Sequence, residues 1–185
     1  MGKTSLILVH ALLVIGTGTA ITCGPAAAQA PAQGPNCRGS EHQQLDFWIG
    51  EWTVFNTADN VEYASSRIVP VMGGCGIQEN YASPAAPGGA YYGTSYSGFD
   101  RKDGRWHQMY VDVNGNVTWY SGGLNGKDME LTAPGKQGAI QKMVYKPLPD
   151  GSVEQVGTVS TDGGKSWQPG YDYTYRRNKI REGKG

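Results

Sequence analysis

The chain has 185 residues, with 16 basic against 16 acidic side chains and 38% hydrophobic residues. That is enough for one domain with a real core and too little for two ordinary domains once an export leader is set aside. Charge is balanced, with no basic arm, patch or stripe, so the composition argues against nucleic acid as a partner.

Residues 1–30 read as a signal peptide. Lys3 supplies the positive start, Leu6 to Ile15 the apolar run, and Ala28-Gln29-Ala30 a small-residue cleavage site before Pro31. The run is too short and too broken by Gly and Thr to span a bilayer, so no integral membrane span is expected after leader removal. Lipoprotein processing at Cys23 is the alternative; Thr22 disfavours it, because the residue before a lipid-modified Cys is usually Gly, Ala or Ser. Without Cys23 the chain keeps Cys37 and Cys75, an even pair that reads as a disulfide in an oxidising compartment, two free thiols being the alternative. The expected location is therefore exported, periplasmic or secreted.

Residues 31–43 are expected as a flexible lead-in. A short helical turn is expected around Glu41 to Trp48, where His42, Leu45 and Trp48 share a face and would cover the barrel bottom. The remainder, 44–177, reads as strand after strand, and 178–185 as a polar tail. Expected strands fall near 50–57, 63–72, 75–82, 90–100, 105–112, 117–123, 127–133, 140–148, 152–161 and 167–177. Between them stand Asp103-Gly104, Asn114-Gly115, Asn125-Gly126, Asp150-Gly151 and Asp162-Gly163, residue pairs that tolerate the positive φ of tight hairpins. Pro70 implies a bulge or an edge in the second strand, and 83–89 reads as a rim loop. The fold class expected is all-β, an antiparallel up-and-down barrel of about 8–10 strands, because closure leaves no exposed edge.

Four runs then carry a family resemblance: D-F-W-I-G-E-W (46–52), G-G-C-G-I-Q-E-N-Y (73–81), Y-S-G-F-D-R-K-D-G-R-W-H-Q-M-Y-V-D (96–112) and D-G-S-V-E-Q-V-G-T-V-S-T-D-G-G-K-S-W (150–167). Together they resemble an uncharacterised bacterial family, often known only as a domain of unknown function, with a lipocalin-like (calycin) barrel. The likeness covers roughly 44–177. Gly50 and Trp52 resemble the lipocalin Gly-x-Trp, and Arg176 or Arg177 resembles the Arg near the end of the last strand that packs over that Trp. No counterpart of the helix that follows the barrel in typical lipocalins is expected in the eight residues after Arg177. The resemblance implies a barrel with an apolar interior and no established activity.

Candidate chemistry is sparse. Ser160 to Trp167 matches the Asp-box pattern S-x-D-x-G-x-S/T-W once, without a propeller's repeat, so Asp162 reads as a turn cap. Glu79 alternates with Ile77 and Tyr81, and Asp112 with Trp106, Gln108 and Tyr110, so each carboxylate shares a face with apolar residues. Tyr hydroxyls or a nearby Arg such as Arg67 are their expected partners. His107 reads as a hydrogen-bonded barrel histidine, and two histidines alone do not supply a metal site, so neither metal nor cofactor is expected. With 19 aromatic residues by count of Phe, Trp and Tyr, the reading favours a barrel that binds a small apolar or aromatic ligand. Its expected lining is Tyr81, Tyr96, Trp106, Tyr110, Trp119 and Tyr145, with Glu79, His107 and Gln108 as polar anchors. Two other readings stand beside it: an enzyme using an interior Glu79, His107 and Asp112 acid-base set, and a filled barrel acting as an envelope interaction module.

Overall fold

A computed structural model describes residues 37–178. The expected leader, the first part of the lead-in and most of the tail lie outside the described residues. Ten strands form one closed, antiparallel, up-and-down barrel of lipocalin-like architecture. They are β1 (Gly50–Asn56), β2 (Glu62–Val71), β3 (Gly76–Ser83), β4 (Tyr91–Asp100), β5 (Arg105–Asp112), β6 (Val117–Asn125), β7 (Asp128–Pro134), β8 (Ile140–Pro147), β9 (Val153–Ser160) and β10 (Gln168–Arg177). Each strand pairs with its sequence neighbours, and β1 closes on β10 with Trp52 opposite Arg177. No helix among the described residues is long and apolar enough to cross a membrane.

Local chemistry explains the turns. At the β4–β5 hairpin the Asp103 carboxylate accepts the Arg105 backbone N–H at 3.0 Å, and Gly104 takes φ 70°, a region closed to most side chains. The Asp-box residues build the β9–β10 turn in the same way. Asp162 accepts the backbone N–H groups of Lys165 and Ser166, both at 2.9 Å, and the Ser166 hydroxyl at 2.6 Å. Pro70 sits beyond Ile68, the last β2 residue paired with β1, so that flank of β2 is locally an edge and needs no N–H from residue 70.

One end of the barrel is plugged. The expected turn at 41–48 is two short 3-10 turns, Ser40–Gln43 and Asp46–Trp48, which carry His42, Leu45 and Trp48 into the interior. Trp52 Nε1 donates to the Trp48 carbonyl at 2.9 Å, and Trp106 Nε1 to Gln44 Oε1 at 3.0 Å. Ile68, Met129, Leu131 and Val153 belong to the same buried cluster, each fully buried. A disulfide joins Cys37 to Cys75 with Cα atoms 5.0 Å apart and ties this plug to the β2–β3 turn. Within the described residues the bridge ties Cys37 to Cys75, and the first 3-10 turn follows at Ser40–Gln43.

The arginine over the Gly-x-Trp tryptophan is Arg177. Its guanidinium lies 4.4 Å from the Trp52 ring and donates to the carbonyls of Ile49 and Phe47, whereas Arg176 lies over Phe55. Alternation decides between them, since Arg177 is the residue paired with Trp52.

Candidate functional site

Above the plug the barrel encloses a cavity of about 1000 Å³. Its rim comes from the β5–β6 turn at Gly115 and Asn116 and the β7–β8 turn at Gly135 and Lys136, so it opens at the end away from Trp48. The wall is mainly tyrosine. Tyr171, Tyr173 and Tyr175 project inward from β10 at every second residue, and Tyr81, Tyr110, Tyr120 and Tyr145 come from β3, β5, β6 and β8. Tyr63 joins them because β2 bulges against β1: Val54 faces Ala64 and Phe55 faces Glu62, leaving Tyr63 unpaired and free to stack on Tyr173 at 5.0 Å. Tyr91 stands edge-on to Tyr81, their centroids 6.1 Å apart.

Glycines make room for these rings. A Cβ at Gly157 would collide with the Tyr171 ring, and one at Gly93 with the Tyr110 hydroxyl. The two strands that face those glycines therefore hold large rings flat against backbone.

Polar groups gather at the cavity floor. Glu79 accepts the Ser66 hydroxyl at 2.8 Å and the Ser95 hydroxyl at 3.4 Å. Gln108 donates to Ser97 Oγ at 3.0 Å and to the Tyr145 hydroxyl at 3.1 Å, while the Tyr175 hydroxyl donates to Gln155 Oε1 at 2.6 Å. The Tyr81 hydroxyl is buried with no hydrogen-bond partner. Burial raises the Glu79 carboxyl to about 7, the hydroxyls of Ser66, Ser95 and Tyr175 offsetting only part of that desolvation. Burial likewise pushes Tyr110, Tyr145, Tyr171 and Tyr175 far up, so their hydroxyls stay neutral and able to donate at pH 7.

At the mouth Asp112 behaves differently. Slight desolvation works against ionisation, but the Asn116 side chain and the backbone N–H groups of Asn116 and Asn114 hold its carboxyl below the usual range. It also accepts the Tyr91 hydroxyl at 3.3 Å. Asp112 is therefore an ionised turn cap that faces the entrance.

Of the residues expected at the site, Glu79, Tyr81, Gln108, Tyr110 and Tyr145 line this cavity. Trp106 points inward but lies in the plug, edge-on to Phe99. Tyr96 and His107 are on the outward register. Tyr96 pairs with Met109 and through it with Trp119 in a row across the outer surface of β4, β5 and β6. Trp119 borders the rim yet is 64% exposed. His107 Nε2 meets Asp103 Oδ2 at 2.8 Å on the exposed β4–β5 hairpin. Even-numbered residues of β5 face in, which separates His107 from its neighbours Trp106 and Gln108. Glu79, His107 and Asp112 therefore do not converge, as an acid-base set would require. Arg67 also points outward, to Glu51, and Glu79 is held instead by the hydroxyls of Ser66 and Ser95, with that of Tyr175 beside them.

Several wall residues were not among those expected from sequence. Tyr171, Tyr173 and Tyr175 show clean alternation that marks one face, but the pattern does not say which face is interior. Tyr63 was hidden by the bulge. Compared with known proteins, the chain matches no family model and no curated protein.

Proposed function

We propose that the protein is an exported binding barrel that holds a small ligand with an apolar or aromatic body in its open cavity. One observation carries this reading: about 1000 Å³ of space, walled by tyrosine rings and bordered by the rim turns at Gly115, Asn116, Gly135 and Lys136. Small-molecule sites run from roughly 300 to 1000 Å³ and combine apolar walls with a few placed polar groups, which the Glu79, Gln108 and Gln155 floor supplies. Export rests on the leader-like first thirty residues and is supported by the disulfide, a bond that persists in oxidising compartments. The resemblance of the four sequence runs to a lipocalin-like family agrees with it.

The envelope-module reading needs a barrel packed solid, and the cavity volume argues against that. The acid-base reading needs Glu79, His107 and Asp112 together, and His107 sits on the other side of the sheet. The test is to express the chain with its own leader, purify it from the periplasm under native conditions, and compare native and denatured masses. Extra mass present only in the native spectrum is the expected result. A bare mass, together with failure of the neutral reporter N-phenyl-1-naphthylamine to enter, would overturn the proposal.

A further inference from the structure

The cavity has an electrostatic imbalance that its walls do not answer. Glu79 is 3% exposed, and the groups bonded to it are hydroxyls rather than a cation. The neighbouring arginine, Arg67, is turned outward by strand alternation and pairs with Glu51. A second carboxylate, Asp112, faces the mouth, and among the described residues the only basic side chain in the lining is Lys136 on the exposed rim. Apart from the Ser66 and Ser95 hydroxyls, the polar groups that line the interior around Glu79 are tyrosine hydroxyls and the amides of Gln108 and Gln155, set among tyrosine rings. Aromatic faces carry negative quadrupoles that attract cations and leave anions unfavoured.

Resting on the proposal of a ligand-binding cavity, we infer that its ligand is an organic cation: a protonated amine on an apolar or aromatic body, its ammonium seated at Glu79 among the tyrosine rings. An ammonium has hydrogen-bond donors to give and no acceptors, and the floor offers acceptors in the Glu79 carboxylate and the tyrosine oxygens, the unpartnered Tyr81 hydroxyl among them. An anionic ligand would meet two carboxylates. A bare metal ion would find one carboxylate and hydroxyls in a space far larger than its coordination sphere, too few hard donors to replace its water. A neutral aromatic molecule would fill the volume but gain nothing from the ionised form of Glu79.

This assignment also predicts proton coupling. The titratable groups facing Glu79 are Tyr81 on its own strand, Tyr91 on β4, Tyr110 on β5, Tyr145 on β8, and Tyr171 and Tyr175 on β10. Burial pushes all of them upward, so each stays neutral through pH 8, and Asp112 at the mouth stays ionised. Glu79 is then the group at the cavity floor that changes charge near neutrality. A cation binds only to its ionised form, so amine affinity rises about tenfold between pH 6 and 8, and binding at pH 7 releases about half a proton.

The experiment is isothermal titration calorimetry of the mature protein with matched pairs, tryptamine against tryptophol and 2-phenylethylamine against 2-phenylethanol. Each is run at pH 6, 7 and 8 in two buffers of different ionisation enthalpy. The expected result is that each amine binds at least tenfold tighter than its alcohol and releases a proton fraction that the alcohol does not. Glu79→Gln should erase the preference, each amine losing at least tenfold more affinity than its alcohol. The buffer comparison on the wild-type protein stands even where the variant misfolds. Equal or tighter binding of the alcohols, or a preference that survives in a folded Glu79→Gln, overturns the cation assignment and leaves the binding cavity standing. If neither the pairs nor N-phenyl-1-naphthylamine bind, both fall.

Discussion

The Tyr171 ring occupies the space that a side chain at Gly157 would need, so one residue of β10 is seated by the absence of a Cβ on β9. Gly157→Ala must therefore push the ring off the wall and into the cavity. The expected destabilisation is about 1 to 3 kcal/mol, as for other overpacking changes, with weaker binding of a neutral fluorescent reporter. Gly123 on β6 has open space at its Cβ position and an ordinary φ, so Gly123→Ala is the control and should shift stability by less than about 0.5 kcal/mol. Urea unfolding of both variants, with reporter titrations, separates the two cases.

Much of this architecture was legible in the chain. Turn pairs such as Asp103-Gly104 and Asn125-Gly126 have a chemistry that fixes where strands must end, and the alternation between them has a fixed period, so ten strands and their hairpins follow. The site was legible only in part, because period-2 alternation divides a strand into two faces without saying which is inside. Gln108 and Tyr110 fell on the interior face and His107 and Tyr96 on the exterior, although all four looked equally suited to a pocket. Tyr63 escaped for a different reason: a bulge breaks the period locally, and nothing in the residues around it announces the break. Arg176 and Arg177 could be separated only by pairing register, which depends on how β1 meets β10.

Glu79 should make stability fall with rising pH. Its folded-state carboxyl titrates at about 7 against an ordinary 4.5, so the folded protein holds the proton more tightly than the unfolded chain. The contribution is fully present below about pH 4.5 and is lost as pH rises through about 7, a change of about 3 kcal/mol. Glu79→Gln keeps an acceptor and a donor in place of the protonated acid and removes that loss. The variant should match the wild type near pH 5 and exceed it at pH 8, where the wild type carries the buried charge. Thermal or urea unfolding across pH 5 to 8 checks this, and parallel curves for the two proteins would refute it.

Arg177 should matter more than Arg176. Its guanidinium covers the fully buried Trp52 and donates to two carbonyls of the plug, at Ile49 and Phe47. A cation over an indole contributes about 0.5 to 2 kcal/mol depending on burial. Arg177→Ala should therefore cost about 1 to 2 kcal/mol and shift the tryptophan emission, since it uncovers a plug indole. Arg176→Ala, which loses a contact with Phe55 and a bond to Asn60, should leave the emission unchanged.

The disulfide offers the cleanest separation of plug from cavity. It closes a loop of sequence separation 38, for which chain entropy alone gives about 4 kcal/mol of stabilisation. Its loss frees the segment that carries Leu45 and Trp48 beneath the barrel, at the end opposite the cavity mouth. Reduction, or Cys75→Ser, should lower the melting temperature markedly and loosen the plug tryptophans, seen as a red shift in emission. The mouth turns at Asn116 and Lys136 are bound into β5 to β8 and do not touch the bridge, so below the new melting temperature the cavity should still take up a neutral reporter with near-normal affinity. Loss of stability and of uptake together, at a temperature where the reduced protein keeps its strand signal by circular dichroism, would mean instead that the plug shapes the cavity.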